Sequence, residues 1–101
     1  MSKTTKMKRK IPKITVNVPF EYFITIPEVK EVVIEEVVVA IKEGIEKKKK
    51  SISLFEIANS NYYIDIEKQQ WKASLQNALD YYIEKEQYDK CIECRDLISK
   101  L

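Results

Sequence analysis

Hydrophobic and polar positions change their period several times along the chain. In residues 11–26, β-branched and aromatic residues such as Ile14 and Val16 alternate with polar ones. This two-residue period predicts strand. Pro19 has no N–H to donate, so it fits an edge strand or a break between two short strands. Pro27 suits the first turn of a helix that follows.

A period of three to four residues begins at Pro27 and predicts a helix. Its inner face consists of Val29, Val32, Val33, Val37, Ala40, Ile41 and Ile45, widened by Ile34, Val38 and Val39. β-branched residues are mediocre helix formers, so a buried strand also fits VVIEEVVVAI. The paired charges and the length of the segment favour the helix. Gly44 weakens its end.

Residues 51–66 combine two alternating segments with a turn, which predicts a β-hairpin. In the first segment, Ile52, Leu54 and Glu56 face one side and Ser53, Phe55 and Ile57 face the other. Residues 59–61 (Asn-Ser-Asn) form the turn, since asparagine tolerates positive φ. Residues 62–66 (YYIDI) form the second strand.

The C-terminal third has the strongest helical period. A first apolar set comprises Trp71, Leu75, Ala78, Leu79, Tyr82 and Ile83, and a second comprises Tyr88, Cys91, Ile92, Cys94, Leu97, Ile98 and Leu101. Residues 84–87 (EKEQ) separate the sets without glycine or proline. Both a helical hairpin and one long helix therefore fit the pattern.

These elements predict an α+β fold in the order strand or strands, helix, β-hairpin and C-terminal helical hairpin. The length of 101 residues suits one domain. We expect residues 1–10 to be a flexible basic tail and residues 11–101 to be a single domain, within which residues 67–101 are the helical-hairpin subregion.

The last 27 residues resemble the UVR motif, which occurs at the C-terminus of bacterial excision-repair subunits and in several bacterial regulators. The matching positions are Glu86, Tyr88, Asp89, Arg95, Asp96, Ile98 and Leu101, with Cys91 and Ile92 at the small-residue pair and Cys94 at the leucine. The resemblance implies an antiparallel helical hairpin that associates with another hairpin or a partner protein, without catalysis. In overall style the chain also looks like the small accessory proteins of AT-rich phages.

Positive charge is concentrated near the start of the chain. The net charge is +2, yet the first 13 residues carry six basic side chains and no acidic one. A nucleic-acid partner is therefore an alternative, because lysines attract phosphate backbones. Its candidate residues are Lys3, Lys6, Lys8, Arg9, Lys10, Lys13, Lys47, Lys48, Lys49 and Lys50. The last four also suit a helix C-terminus, where cations oppose the negative dipole end.

The amino-acid composition lacks several residue types that catalytic sites commonly use. There is no histidine and only one glycine, which excludes Ser-His-Asp and Cys-His catalysis, histidine-bound metals and glycine-rich phosphate loops. For Cys91-x-x-Cys94 we favour core packing. A metal or disulfide shared between two chains and redox catalysis are the alternatives, and the acidic neighbours of the pair disfavour a reactive thiolate. We expect no enzyme activity and no cofactor.

The function that we predict is protein interaction: a small adaptor or accessory factor docks a partner through residues 71–101, with homo-oligomerisation as one form. The candidate partner-binding residues are Trp71, Tyr82, Tyr88, Arg95, Asp96, Leu97 and Leu101. The second alternative, after nucleic-acid association, is a structural subunit of a larger assembly such as a phage virion. The short apolar runs, the two cysteines and the lack of a signal peptide predict no membrane association and a cytoplasmic location, or a virion if the chain is of phage origin.

Overall fold

The structure, a computed structural model, describes residues 11–15, 22, 25–58 and 63–101. The predicted basic tail, half of the first predicted strand segment and the turn at residues 59–61 lie outside these ranges. The described elements are β1 (Lys13–Ile14), α1 (Pro27–Glu46), β2 (Ser51–Ile57), β3 (Tyr63–Glu67), a 3-10 helix (Lys68–Gln70), α2 (Trp71–Glu84) and α3 (Tyr88–Ser99). Together they form an α+β fold, as predicted.

A small sheet has the strand order β1-β2-β3. β1 runs parallel to β2, where Lys13 is opposite Glu56. β2 and β3 are antiparallel, with Ser51 opposite Glu67, which confirms the predicted hairpin. Because β1 and β3 pair with opposite edges of β2, that strand is the centre of the sheet.

The predicted alternation in β2 is wrong beyond Ser53. The register shifts there, since Ser53 is opposite Asp65 but Phe55 is opposite the next residue, Ile64. Leu54 is thus an extra residue in a β-bulge, and both Leu54 and Phe55 are buried. A bulge places two consecutive side chains against one partner and reverses the facing of all later residues.

The strand predicted through residue 26 does not extend that far. The backbone N–H and the hydroxyl of Thr25 both donate to the carbonyl oxygen of Tyr22, at 3.1 and 2.6 Å. This closes a turn immediately before α1. Pro27 occupies the first turn of α1, as predicted, and the acidic Glu28 lies near its positive end.

Helix α1 is confirmed, but its inner face is rotated from the prediction. Val38, Ala40, Ile41 and Gly44 are its buried residues. Val32 and Val39, seven residues apart on one stripe, are 54% and 48% exposed. Because valines surround this helix, the apolar pattern alone does not identify the side that packs.

The chain bends after α2, so the hairpin interpretation of the C-terminal third is the right one. The N–H groups of Glu86 and Gln87 donate to the carbonyl oxygens of Ile83 and Tyr82, at 3.0 and 2.9 Å. These two bonds form a Schellman motif, with Glu86 as its left-handed residue at φ 59°. Glutamate occupies a position where glycine is usual, which is why the sequence carried no signal of this bend.

The core contains side chains from both the sheet and the helices. Its largest fully buried side chains are Trp71, Phe55, Ile41, Leu75 and Cys94. The indole N–H of Trp71 donates to the carbonyl oxygen of Ile66 at 3.3 Å. The indole nitrogen therefore has a hydrogen-bond partner within the protein interior. This bond ties the start of the helical hairpin to the end of β3.

Candidate functional site

Three of the seven predicted partner-binding residues lie inside the protein. Trp71, Tyr82 and Leu97 belong to the core, each with at most 3% of its surface exposed. In this conformation they hold α2 and α3 against the rest of the fold and present no surface to another molecule. Any partner contact by the hairpin must therefore come from its outward side.

The outward side of α3 carries an exposed apolar pair. Tyr88 and Ile92 are 60% and 58% exposed, and they lie one helical turn apart. Residues at this spacing are neighbours on a helix surface. Cys91, Cys94 and Leu97 cover the opposite, buried face. Apolar side chains therefore lie on both the buried side and the exposed side of this helix.

Arg95 and Asp96 extend the surface around this pair. Both are exposed, and they lie about one turn beyond Ile92 on the outward half of α3. We call Tyr88, Ile92, Arg95 and Asp96 the α3 surface. Three of these four were candidate partner residues in the sequence. Ile92 was missed, because the sequence pattern grouped it with the apolar set of α3 and did not distinguish the exposed members of that set from the buried ones.

Ile92 also lines an open depression between α1 and α3, with a volume of about 300 Å³. Its other lining residues are Lys42, Asp89, Glu93, Asp96, Leu97 and Lys100. The α3 surface therefore has a charged border on the side facing α1. A partner that covers Ile92 must satisfy these charges as well as bury apolar area.

Two ion pairs connect α1 to α3 beside this border. The Nζ of Lys90 lies 3.3 Å from a carboxylate oxygen of Glu35, and that of Lys42 lies 3.7 Å from one of Glu93. The Lys90 ammonium also lies 5.3 Å from the ring centroid of Tyr82. The pairs are exposed, so each contributes at most about 1 kcal/mol. The burial of Cys91, Cys94 and Leu97, not these pairs, determines which side of α3 faces outward.

Leu101 is exposed but lies away from the other exposed candidates. It follows the end of α3, whereas Tyr88 begins that helix. A 12-residue helix spans roughly 18 Å. Leu101 lines a different cleft, formed with residues of the turn after α1. The structure therefore separates Leu101 from Tyr88 and Ile92, although it lies only about one and a half turns beyond Asp96.

Cys91 and Cys94 are buried free thiols, which confirms their packing role. The pKa of Cys94 is raised from 9.0 to about 11, mainly by burial and to a smaller extent by the neighbouring Glu93 and Cys91. A thiol that keeps its proton at neutral pH is a poor nucleophile and a poor metal ligand. Within the described ranges, no group of three or more Cys, Asp or Glu side chains is arranged to hold a metal ion.

The candidate nucleic-acid residues do not form one surface. Lys13 pairs with the Glu56 end of β2, whereas Lys47 to Lys50 precede the opposite end at Ser51. Five residue steps along a strand separate these ends by roughly 17 Å. Lys47 is engaged by Glu43, at 3.2 Å. Lys3, Lys6, Lys8, Arg9 and Lys10 lie outside the described residues.

A wide groove between α1 and α2 was not anticipated. It has a volume of about 710 Å³, and Lys30, Val33, Tyr81 and Ile83 contribute to its lining. The ammonium groups of Lys30 and Lys85 lie 5.8 and 5.7 Å from the Tyr81 ring centroid. Ile83, assigned to the inner face by the sequence pattern, is instead exposed here.

Comparisons with known proteins give no further constraint: no protein-family model, curated protein or solved structure matches the chain. Among the helices that the structure describes, none has both the length and the apolar composition needed to cross a membrane.

Proposed function

We propose that this chain is a non-enzymatic interaction factor that docks a partner protein through the α3 surface. The observation that carries the proposal is the pair Tyr88 and Ile92, which are exposed and adjacent on a helix whose opposite face is fully packed. Tyrosine is enriched at protein interfaces because its ring is large and rigid and ends in a polar group.

The surface area of Tyr88 and Ile92 limits the kind of interface that they can form. Specific protein complexes bury about 800 Å² on each partner, and two side chains supply only part of this area. The contact must therefore extend over Arg95, Asp96 and the charged border around Ile92. We infer an interface with a small apolar centre and a polar periphery, typical of transient association.

The chemistry of the partner follows from this layout. Glu93 is already paired with Lys42, whereas Asp89 and Asp96 are exposed carboxylates beside Ile92. An amphipathic helix with an apolar strip next to lysines or arginines would complement them. This mode also agrees with the hairpin association that the UVR resemblance implies.

The test compares two double variants of the tagged full-length chain in the native host. Tyr88→Ala with Ile92→Asp alters the α3 surface. Tyr63→Ala with Val32→Asp is the control, because it makes the same kinds of change at a tyrosine and a valine that are similarly exposed elsewhere. Quantitative mass spectrometry then measures the proteins that co-purify with each.

The proposal predicts that one protein co-purifies with the wild type and the control and is at least tenfold depleted with the α3 variant. Circular dichroism and thermal unfolding of both variants should match the wild type, since all four side chains are exposed. Equal depletion by both variants, or by neither, would contradict docking through this surface.

A further inference from the structure

Four lysines from three separate segments converge on one cleft at the end of the molecule opposite Tyr88. Lys48 and Lys49 come from the turn after α1, Lys68 from the 3-10 helix and Lys100 from the end of α3. The cleft has a volume of about 300 Å³, and all four side chains are exposed. We call these four residues the lysine cleft.

Backbone hydrogen bonds hold the lysines in this arrangement. The N–H groups of Lys48 and Lys49 donate to the carbonyl oxygens of Ile45 and Gly44, at 3.2 and 2.9 Å, in a Schellman motif. The N–H of Lys68 donates to the carbonyl oxygen of Lys50 at 2.8 Å. The backbone positions of Lys48, Lys49 and Lys68 are therefore fixed by the fold, although these residues are not all neighbours in sequence.

The negative charge at the nearby helix ends is too small to explain why four lysines lie together. α1 and α3 both end at this cleft, and each C-terminus carries about −0.5 of an elementary charge. Against four ammonium groups, the two helix ends leave the residues that line the cleft with a net charge of about +3. The surplus is available for an anion.

The same helix ends indicate the size of that anion. α1 and α3 end beside the cleft with carbonyl groups, whereas the 3-10 helix begins there at Lys68. The N–H groups of Lys68 and Gln70 are already bonded to the Lys50 carbonyl oxygen and the Glu67 side chain, so they do not form a cradle for a single phosphate. An anion must therefore be attracted by several lysine side chains that are separated from one another. This arrangement favours a polymer with regularly spaced negative charges. Lysine contacts phosphates as a point charge and reads no base sequence.

We infer that the lysine cleft binds the phosphate backbone of a nucleic acid without sequence preference. The cleft lies roughly 18 Å from Tyr88, at the other end of α3. Lys100 is shared between the two sites, because it also lines the depression beside Ile92 and Asp96. The sequence contained only part of it: Lys48 and Lys49 are neighbours in a lysine run, but Lys68 and Lys100 join them only through the fold.

The experiment measures fluorescence anisotropy of a labelled 30-nucleotide single strand with the full-length chain. The cleft variant carries Lys68→Gln and Lys100→Gln. The control carries Lys72→Gln and Lys85→Gln, which change the net charge equally at exposed lysines of α2 and its C-cap. Circular dichroism verifies that both variants are folded.

The inference predicts binding in 50 mM salt that the cleft variant weakens about tenfold and the control less than twofold. Removing two phosphate contacts should also reduce the slope of log affinity against log salt by about 1.4. Inorganic phosphate at 1 mM should not displace the strand, because the site needs several linked charges.

Each of several results would overturn the inference. These are no binding at 50 mM salt, equal weakening by the two variants, or unchanged affinity in the cleft variant, which would place binding elsewhere in the chain. Displacement by inorganic phosphate would indicate a single-anion site instead. Displacement by poly-glutamate at equal charge concentration would show that the cleft does not distinguish phosphates from carboxylates.

Discussion

Gly44 and Trp71 are packed so closely that no side chain fits between them. A Cβ atom on Gly44 would lie 2.6 Å from Cη2 of Trp71 and 2.8 Å from Cγ2 of Ile52. The sequence suggested that this glycine only weakens the end of α1. The structure shows a packing role instead, because the absence of a side chain lets the helix approach the buried indole.

We predict that Gly44→Ala lowers the free energy of unfolding by about 1–3 kcal/mol, as overpacking in a core does. Alanine is the better helix former by about 1 kcal/mol, so the clash must exceed that gain. Chemical denaturation measures the change. If the variant is as stable as the wild type or more stable, the close packing of Gly44 on Trp71 is refuted.

A double-mutant cycle separates this contact from other effects of the alanine. Trp71→Phe removes the ring that carries Cη2, although it lowers stability by itself. In the Trp71→Phe background, Gly44→Ala should be much less destabilising, with a coupling energy of about 1 kcal/mol or more. Additive effects of the two substitutions would show that the penalty arises elsewhere.

The bend between α2 and α3 gives a prediction of the opposite sign. Glu86 has φ 59°, and the left-handed region costs a residue with a Cβ about 1–2 kcal/mol. Glu86→Gly should therefore raise the unfolding free energy by about 0.5–1 kcal/mol, after the greater chain entropy of glycine is subtracted. Thermal and urea unfolding both report it.

Lys85→Gly is the matched control, because Lys85 precedes Glu86 and has an ordinary φ of −85°. There, glycine adds flexibility and removes the ammonium group beside the Tyr81 ring, so stability should fall by at least about 0.5–1 kcal/mol. Stabilisation by both glycines, or by neither, would contradict the assignment of Glu86 as the left-handed residue of the turn.

Burial of Cys94 predicts a loss of stability in alkaline solution. Its pKa rises from 9.0 to about 11, mainly by desolvation and further through Glu93 and Cys91. The folded state thus holds the proton more tightly than the unfolded state does. This stabilisation is complete below pH 9 and is lost as the pH rises through about 11.

Tyr82 predicts a second loss of stability, at a higher pH than that of Cys94. Burial raises its pKa from 10.0 to about 12, with smaller contributions in the same direction from Glu35 and Cys94. Urea unfolding at pH 8 to 11 should show stability falling in the wild type above pH 9. The fall should be shallower in Cys94→Ala, whatever the absolute stability of that variant. Parallel curves for the two proteins would show that Cys94 titrates normally.

Pattern and propensity predicted the order of the elements because long periodic segments report which faces are buried. They failed where one residue changes the geometry. The bulge at Leu54 and the turn at Glu86 are formed by residue types that occur in ordinary strands and helices. No local signal distinguishes them, and only packing against the rest of the fold selects these conformations.

The candidate site was predicted in part for a related reason. A helical period groups Tyr88 and Ile92 with the buried Cys91, since all three are apolar and close in sequence. Which of them face the core depends on how α3 is rotated against α1 and α2. That rotation depends on long-range packing, in which Cys91 and Cys94 share one core with residues as distant in sequence as Ile41.

Docking through the α3 surface is tested most directly by photo-crosslinking from within it. Benzoylphenylalanine replaces Ile92 in one protein and Gln76, an exposed residue of α2, in the control, and both are irradiated in the native host. We predict one dominant adduct with a partner protein from position 92 and at least tenfold less from position 76. No adduct from position 92, or equal adducts from both positions, would contradict the proposed function.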